Sequence, residues 1–266
     1  MIVIARFDRA LARPWRGCVE ASWRDAALVR PAEDDDGAIT LLAPGRGLVA
    51  NGVEVPWDAP PAPGTAVLVG QRSIRVGDRS WRLAGPGVDL TLDDVARDCA
   101  ALRRHLAILV TPSPAVPEAA VRLRSLASWL FGADRPGEPE AAVKGLVGLG
   151  PGLTPTGDDV LTGALAAAHW ISGAVEGDRL LYLGLAVLGA GADSTTPVGR
   201  AMLRYAAAGR FPEPLVRLVR ALGDPEADAG DVRLAFVAVV AVGARSGNDM
   251  LAGLLATLLA AREGGN

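Results

Sequence analysis

Gly145-Leu-Val-Gly-Leu-Gly-Pro-Gly-Leu-Thr-Pro-Thr-Gly-Asp-Asp-Val-Leu-Thr-Gly163 packs glycines, prolines, threonines and two adjacent carboxylates, Asp158 and Asp159, into one loop that runs into an apolar helix. A shorter echo comes near the end of the chain. Ser246-Gly-Asn-Asp-Met-Leu-Ala-Gly-Leu-Leu255 aligns position for position with Thr156-Gly-Asp-Asp-Val-Leu-Thr-Gly-Ala-Leu165. Both copies read hydroxyl, Gly, Asp or Asn, Asp, apolar, Leu, small, Gly, apolar, Leu. Folding alone does not need such a loop twice, so the pair points to a site as well as to two helix starts.

Outward from this stretch the grammar is helical. Ala, Leu and Val recur at spacings of three and four. Leu90-Thr-Leu-Asp-Asp94 reads as a Thr-capped start with an acidic first turn, opening a helix through about Leu109. Further helices are expected at about 115–131, 139–147, 157–174, 178–190, 197–208, 213–222, 231–243 and 247–262. The small residues among them favour close packing.

Residues 1–90 read differently. Short β-type runs at Cys18–Trp23, Ala26–Val29, Ala38–Leu42, Gly47–Val49, Gly52–Val55, Ala66–Val69, Ser73–Val76 and Ser80–Leu83 alternate with turn signals. The turns include Asp34-Asp35-Asp36-Gly37, and the hairpin signals Asn51-Gly52 and Gly77-Asp78. Trp15, Trp23, Trp57 and Trp81 would anchor the core or rim. The expected class is α+β: a small antiparallel β-rich domain over residues 1–90, a sheet or small barrel, then an all-α domain over residues 91–266 that carries the motif and its echo.

Composition narrows the partners. Net charge is −3 with no basic block, which disfavours nucleic acid. The apolar segments are too short or too broken to span a membrane, and the amino terminus lacks signal-peptide organisation. Cys18 and Cys99 stand alone, without metal spacing. A cytoplasmic protein is expected.

A purely structural reading accounts for part of the two loops. Thr156-x-x-Asp159 and Ser246-x-x-Asp249 match a capping box with Asp in place of Glu or Gln. Gly163 and Gly253 would permit close helix contact. Capping does not require Gly148, Gly150, Gly152, Thr154 or a second carboxylate at Asp158. Glycine-rich loops that enter a helix present N–H groups to anions. Gly152 and Gly157 have the glycine spacing of a phosphate-binding P-loop, but Asp158 and Asp159 stand where Lys and Ser/Thr belong. Three arrangements remain: a divalent cation held by carboxylates, a neutral or cationic substrate, or a carboxylate base. If a pseudo-twofold relates the copies, both helix starts could meet at one site. Asp193-Ser194-Thr195-Thr196-Pro197-Val198-Gly199-Arg200 reads either as a hydroxyl-rich cap before Pro197 or as donors with Arg200 available to an anion. His105 reads as a residue at a solvated helix edge, and His169 as a satisfied core histidine. Glu138 and Glu140 mark a loop and a helix start.

The run Gly148–Gly163, with Ser194-Thr195-Thr196 and with Ser246–Gly253, resembles the signature of a bacterial family long described only as a domain of unknown function. That family includes the AllH-type subunit of oxamate carbamoyltransferase. The resemblance covers residues 95–262, and the β-rich part agrees in general organisation only. Asn248 stands in the second loop, where an acidic or small polar residue would also suit, and Pro197 and Gly199 stand in the Thr-Thr segment. The resemblance implies a subunit of an enzyme complex in allantoin breakdown that exchanges a carbamoyl group between oxamate and phosphate, giving carbamoyl phosphate from oxalurate. It implies a small anionic substrate and other subunits, one an FdrA-like protein. The catalytic candidates are then Asp158 and Asp159. The substrate-binding candidates are Gly150, Gly152, Thr154, Thr156, Gly157, Ser194, Thr195, Thr196, Arg200, Ser246, Gly247, Asn248 and Asp249. The alternatives are a non-catalytic scaffold or regulatory subunit, and a metal-dependent hydrolase in which Asp158, Asp159 and Asp249 hold a cation such as Mg2+.

Overall fold

The computed structural model describes residues 2–4, 6–11, 14–32, 37–45, 47–83, 85, 87–131, 139–171 and 178–264. The expected Asp34–Asp36 turn, Glu138 and the last residues of the helix expected over 157–174 lie outside them. The chain divides into two compact units, Met1–Leu90 and Thr91–Asn266.

Among the described residues the first unit is an eight-stranded sheet. Its strands are β1 (Ile2–Ile4), β2 (Trp15–Ser22), β3 (Ala26–Pro31), β4 (Ile39–Leu42), β5 (Gly52–Glu54), β6 (Ala66–Val69), β7 (Ser73–Val76) and β8 (Arg79–Leu83), in the order β1-β8-β7-β6-β2-β3-β4-β5. Alternation sets the faces: Val67, Val69, Ile74, Val76, Trp81 and Leu83 point inward while their neighbours are exposed. The amino-terminal segment brings the two edges together. Ile2–Ile4 run beside β8, and Phe7 bridges Val53 of β5. That closure removes an open edge from a small sheet.

Inner pairings are antiparallel, as the run of short strands predicts, but both edge pairings, β1 with β8 and β4 with β5, are parallel. Gly77-Asp78 forms the expected two-residue hairpin between β7 and β8, with Gly77 at φ +59°. Asn51-Gly52 does not form one. Asn51 adopts φ +54°, but the strand it leads into runs parallel to β4. The strand expected at Gly47–Val49 is likewise absent. Leu48 is instead buried with Leu42 and Leu90, and Val49 O accepts from Gly52 N in a turn.

The second unit contains α1 (Cys99–Leu106), α2 (Pro117–Phe131), α3 (Pro139–Leu146), α4 (Thr156–Trp170), α5 (Arg179–Ser194), α6 (Pro197–Ala207), α7 (Glu213–Gly223), α8 (Ala229–Val240) and α9 (Ser246–Gly264). Among the described residues no helix is long and apolar enough to cross a membrane. The helix expected from Leu90 begins only at Cys99, capped by Asp98, whose carboxylate accepts from Ala101 N at 2.6 Å. The preceding residues are held out of helix: Thr91 bridges Arg210, Val95 N closes a turn on Leu92 O, and Ala96 O accepts from Trp170 Nε1. His105 is buried, not at a solvated edge. Its Nδ1 and Nε2 face the carbonyls of Leu222 and Ala227.

α4 is buried nearly all round, which explains its lack of a polar stripe. It packs chiefly on α9. A Cβ on Gly163 would overlap Met250 O, and one on Gly253 would overlap Val160 O. These contacts are equivalent under the sequence alignment of the two copies. Glycine is required at both positions because the helix backbones touch there.

Candidate functional site

Three glycines with positive φ shape the loop from α3 to α4: Gly148 (72°), Gly150 (103°) and Gly152 (112°). L side chains rarely adopt these conformations. The loop closes on itself through Leu149 N to Leu146 O and Gly157 N to Leu149 O, both 2.9 Å. Its outer part, Pro151 to Leu153, is exposed, and no hydrogen bond within the described residues involves the amides of Gly150, Gly152, Leu153 or Thr154.

The capping boxes do not form. Pro155 precedes α4 without any side-chain cap, and Thr156 lies buried inside the first turn. Tertiary partners claim the groups that would have capped. Thr154 Oγ1 and Ser246 Oγ bond one another at 2.8 Å. Asp249 Oδ1 accepts from Ala115 N at 2.7 Å, ahead of α2. The two helix starts therefore do meet. Thr154 pairs with Ser246, Asp159 lies beside Asp249, and Gly163 faces Met250, so α4 and α9 run side by side in the same direction. The repeat also includes the helix before each loop. A Cβ on Gly157 would overlap Leu146 O at the end of α3, and one on Gly247 would overlap Val239 O in α8. These two glycines are packing positions, a role the motif alone did not separate from binding.

The adjacent carboxylates have different environments. Asp158 is fully buried and fully engaged. Its Oδ1 accepts from Gly148 N at 2.7 Å, and its Oδ2 accepts from the Thr195 hydroxyl. A Cβ on Gly199 would overlap Oδ2, so Gly199 is the cradle that admits the carboxylate. Burial raises the Asp158 pKa, against the pull of Gly148 and Thr195. Thr196 caps α6 by accepting from Gly199 N at 3.0 Å and donates its hydroxyl to Leu153 O. The segment Ser194–Gly199 is thereby tied to the glycine loop. Ser194 and Arg200 are exposed, and Asn248 is half-buried.

Asp159 is 1% exposed, and neither of its carboxylate oxygens has a hydrogen-bond partner. The Thr154 and Ser246 hydroxyls bond each other, which uses one of their two protons, and lie close enough to the carboxyl to favour its charged form. Its pKa is pushed up to about 8, first by burial and then by the charges of Asp249 and Asp158, while the two hydroxyls pull the other way. An unpaired buried carboxyl of this kind relieves its desolvation by holding a proton. His169, beside Phe211, is half-buried and its pKa is lowered by burial; its Nε2 has no partner, so it is only partly satisfied.

Among the described residues no three His, Cys, Asp or Glu side chains form a group able to hold a metal ion. In the alternative where Asp158, Asp159 and Asp249 hold a divalent cation such as Mg2+, two of the three carboxylates already have protein partners. Asp158 is directed to Gly148 and Thr195, and Asp249 to Ala115. Sequence reasoning missed Ala115 and Leu153 as partners, and noted Gly199 only as a residue of the Thr-Thr segment. All three act through backbone position, which leaves no side-chain signature.

The family model for oxamate carbamoyltransferase subunit AllH matches residues 146–258. That span runs from the last residue of α3 into α9, and so includes both loops and the Ser194–Arg200 segment. No solved structure matches the chain.

Proposed function

We propose, from the match of residues 146–258 to the family model for oxamate carbamoyltransferase subunit AllH, that the chain is a subunit of a carbamoyltransferase complex of the oxamate type, with a small-anion site on the glycine loop. The carrying observation is the loop itself: amides at Gly150, Gly152, Leu153 and Thr154 are unbonded within the described residues, on backbone that positive-φ glycines hold open. Such amides at a helix start suit a carboxylate or phosphate. Arg200, exposed on the first turn of α6, adds a fork for the same anion. Asp158 holds the loop in shape through Gly148 and is a positioning residue.

In the reaction this reading assigns, a phosphate oxygen attacks the carbamoyl carbon of oxalurate. The C–N bond to the oxamate nitrogen breaks, that nitrogen gains a proton, and carbamoyl phosphate and oxamate leave. The tetrahedral intermediate carries negative charge on the carbamoyl oxygen, which preorganised N–H donors stabilise. An FdrA-like subunit of the complex would supply the remaining machinery.

The test is thermal unfolding of the full chain, alone and with its co-purifying subunits, in the presence of phosphate, oxamate or carbamoyl phosphate. A ligand at about one hundred times its dissociation constant adds about 2.7 kcal/mol. The shift is expected in the wild type and reduced in Arg200→Ala. No shift in either form of the protein overturns the reading. A second reading, a non-catalytic scaffold, is supported by the engagement of Asp158 and Asp249 in holding loops together; it predicts no ligand response and loss of assembly on mutation.

A further inference from the structure

Resting on that reading, we propose that Asp159, as a neutral carboxylic acid, recognises the primary carboxamide of the substrate, donating its O–H to the amide carbonyl and accepting one amide N–H. The geometry carries this. Asp159 is more than nine-tenths buried, and its oxygens have no partner among the described residues beyond the neighbouring Thr154 and Ser246 hydroxyls. Its nearest polar neighbours are the Thr154–Ser246 hydroxyl pair and a second carboxylate, Asp249, and no ion pair reaches it among the described residues. Charged, it would face another anion without a counter-ion. Neutral, it presents one donor and one acceptor side by side.

A primary carboxamide offers the complementary pair, a carbonyl oxygen and the N–H cis to it. A carboxylate or dianionic phosphate offers acceptors only and leaves the Asp159 carbonyl facing another acceptor. A buried site built for hydrogen bonding discriminates strongly against a ligand that cannot complete the set. Thr154 links this position to the anion loop, since it ends that loop and bonds Ser246. Thr154 and Ser246 are half-buried and stand between the exposed part of the loop and Asp159. An anion that carries a carbamoyl group can then place its charged end on the loop amides and its amide on Asp159.

Calorimetric titration of the full chain with oxamate, oxalate and phosphate tests this. Oxamate carries an amide where oxalate carries a second carboxylate, and Asp159→Leu separates recognition of the amide from the difference in charge. Wild type is expected to bind oxamate at least ten-fold tighter than oxalate. Asp159→Leu should bind the two alike, and Asp159→Asn, which keeps a donor and an acceptor, should retain the preference. Equal binding of oxamate and oxalate by the wild type, or a preference that survives in Asp159→Leu, overturns the proposal while leaving the anion loop intact. Oxamate binding that depends on Asp159, with phosphate and oxalate inert, instead removes the anion-loop reading and leaves this one standing. Should Asp159→Leu fail to fold, infrared difference spectra decide. The protonated-carboxyl band must vanish in Asp159→Asn and shift when oxamate is added, and a band that oxamate does not move overturns the proposal.

Discussion

Gly163 and Gly253 each lie against the backbone of the other's helix, Gly163 on Met250 O and Gly253 on Val160 O, so α4 and α9 touch at two equivalent points. No side chain fits at either point without separating the helices. That contact brings the two loop ends into one place and sets Asp159 beside Asp249.

Replacing either glycine by alanine should therefore destabilise the helical unit by about 1–3 kcal/mol or more, the range for overpacking. The two substitutions should have similar effects, because the contacts are equivalent. Urea unfolding of each variant checks this. A variant as stable as the wild type would show that the helices do not meet so closely.

Asp158 and Thr195 are the second pair to break. Asp158→Ala leaves Gly148 N and the Thr195 hydroxyl without their partner, and each buried orphan costs about 1–3 kcal/mol. Asp158→Asn should also destabilise, since one amide end meets the Thr195 hydroxyl and the other keeps Gly148. A double-mutant cycle of Asp158→Ala with Thr195→Val should give a coupling energy near 1 kcal/mol or above. Additive effects would show that the hydrogen bond is not formed.

The pH dependence follows from Asp159. Its pKa of about 8 in the folded chain lies above the unfolded value of about 3.9. The folded state then holds a proton that the unfolded state has released. The stability this contributes is complete below about pH 4 and is lost as pH rises through about 8, with a slope approaching 1.4 kcal/mol per pH unit between them. Asp158, also raised by burial, acts in the same direction. Asp159→Asn should flatten part of this slope, so its stability relative to the wild type should rise from about pH 5 to about pH 8. Parallel curves for the two proteins would contradict a protonated Asp159.

Arg200 and Gly152 separate binding from folding. Arg200 is exposed, so Arg200→Ala should change stability by less than about 0.5 kcal/mol. Gly152→Ala places a side chain at φ +112°, and should cost about 1–3 kcal/mol of strain even though the space around it is open. Both should weaken phosphate binding. Thermal unfolding with and without phosphate measures the two effects together.

The helices were legible because small and apolar residues at spacings of three and four set their faces locally. The β7–β8 hairpin was legible because Gly77-Asp78 supplies the backbone its two-residue turn requires. Asn51-Gly52 misled because the same local turn leads equally well into a parallel strand, and the partner of β5 is chosen at a distance. The capping boxes misled for a related reason. Thr156, Ser246 and their aspartates have the right spacing for a cap, but Ala115, Thr154 and the opposing helix offer competing partners that a local pattern does not contain.

From its sequence alone the chain was determined to be a β-rich segment followed by helices, with two echoed loop-and-helix starts and glycines at fixed places in them. Those features depend on backbone conformation and on periodicity, which neighbouring residues decide. The fates of Asp158 and Asp159 belong to the tertiary structure. One lies where Gly148, Thr195 and the space beside Gly199 converge, and the other lies buried beside Ser246 and Asp249 of α9. Adjacent in sequence and identical in chemistry, they are distinguished only by the segments that fold against them, because burial and hydrogen bonding are properties of the packed chain.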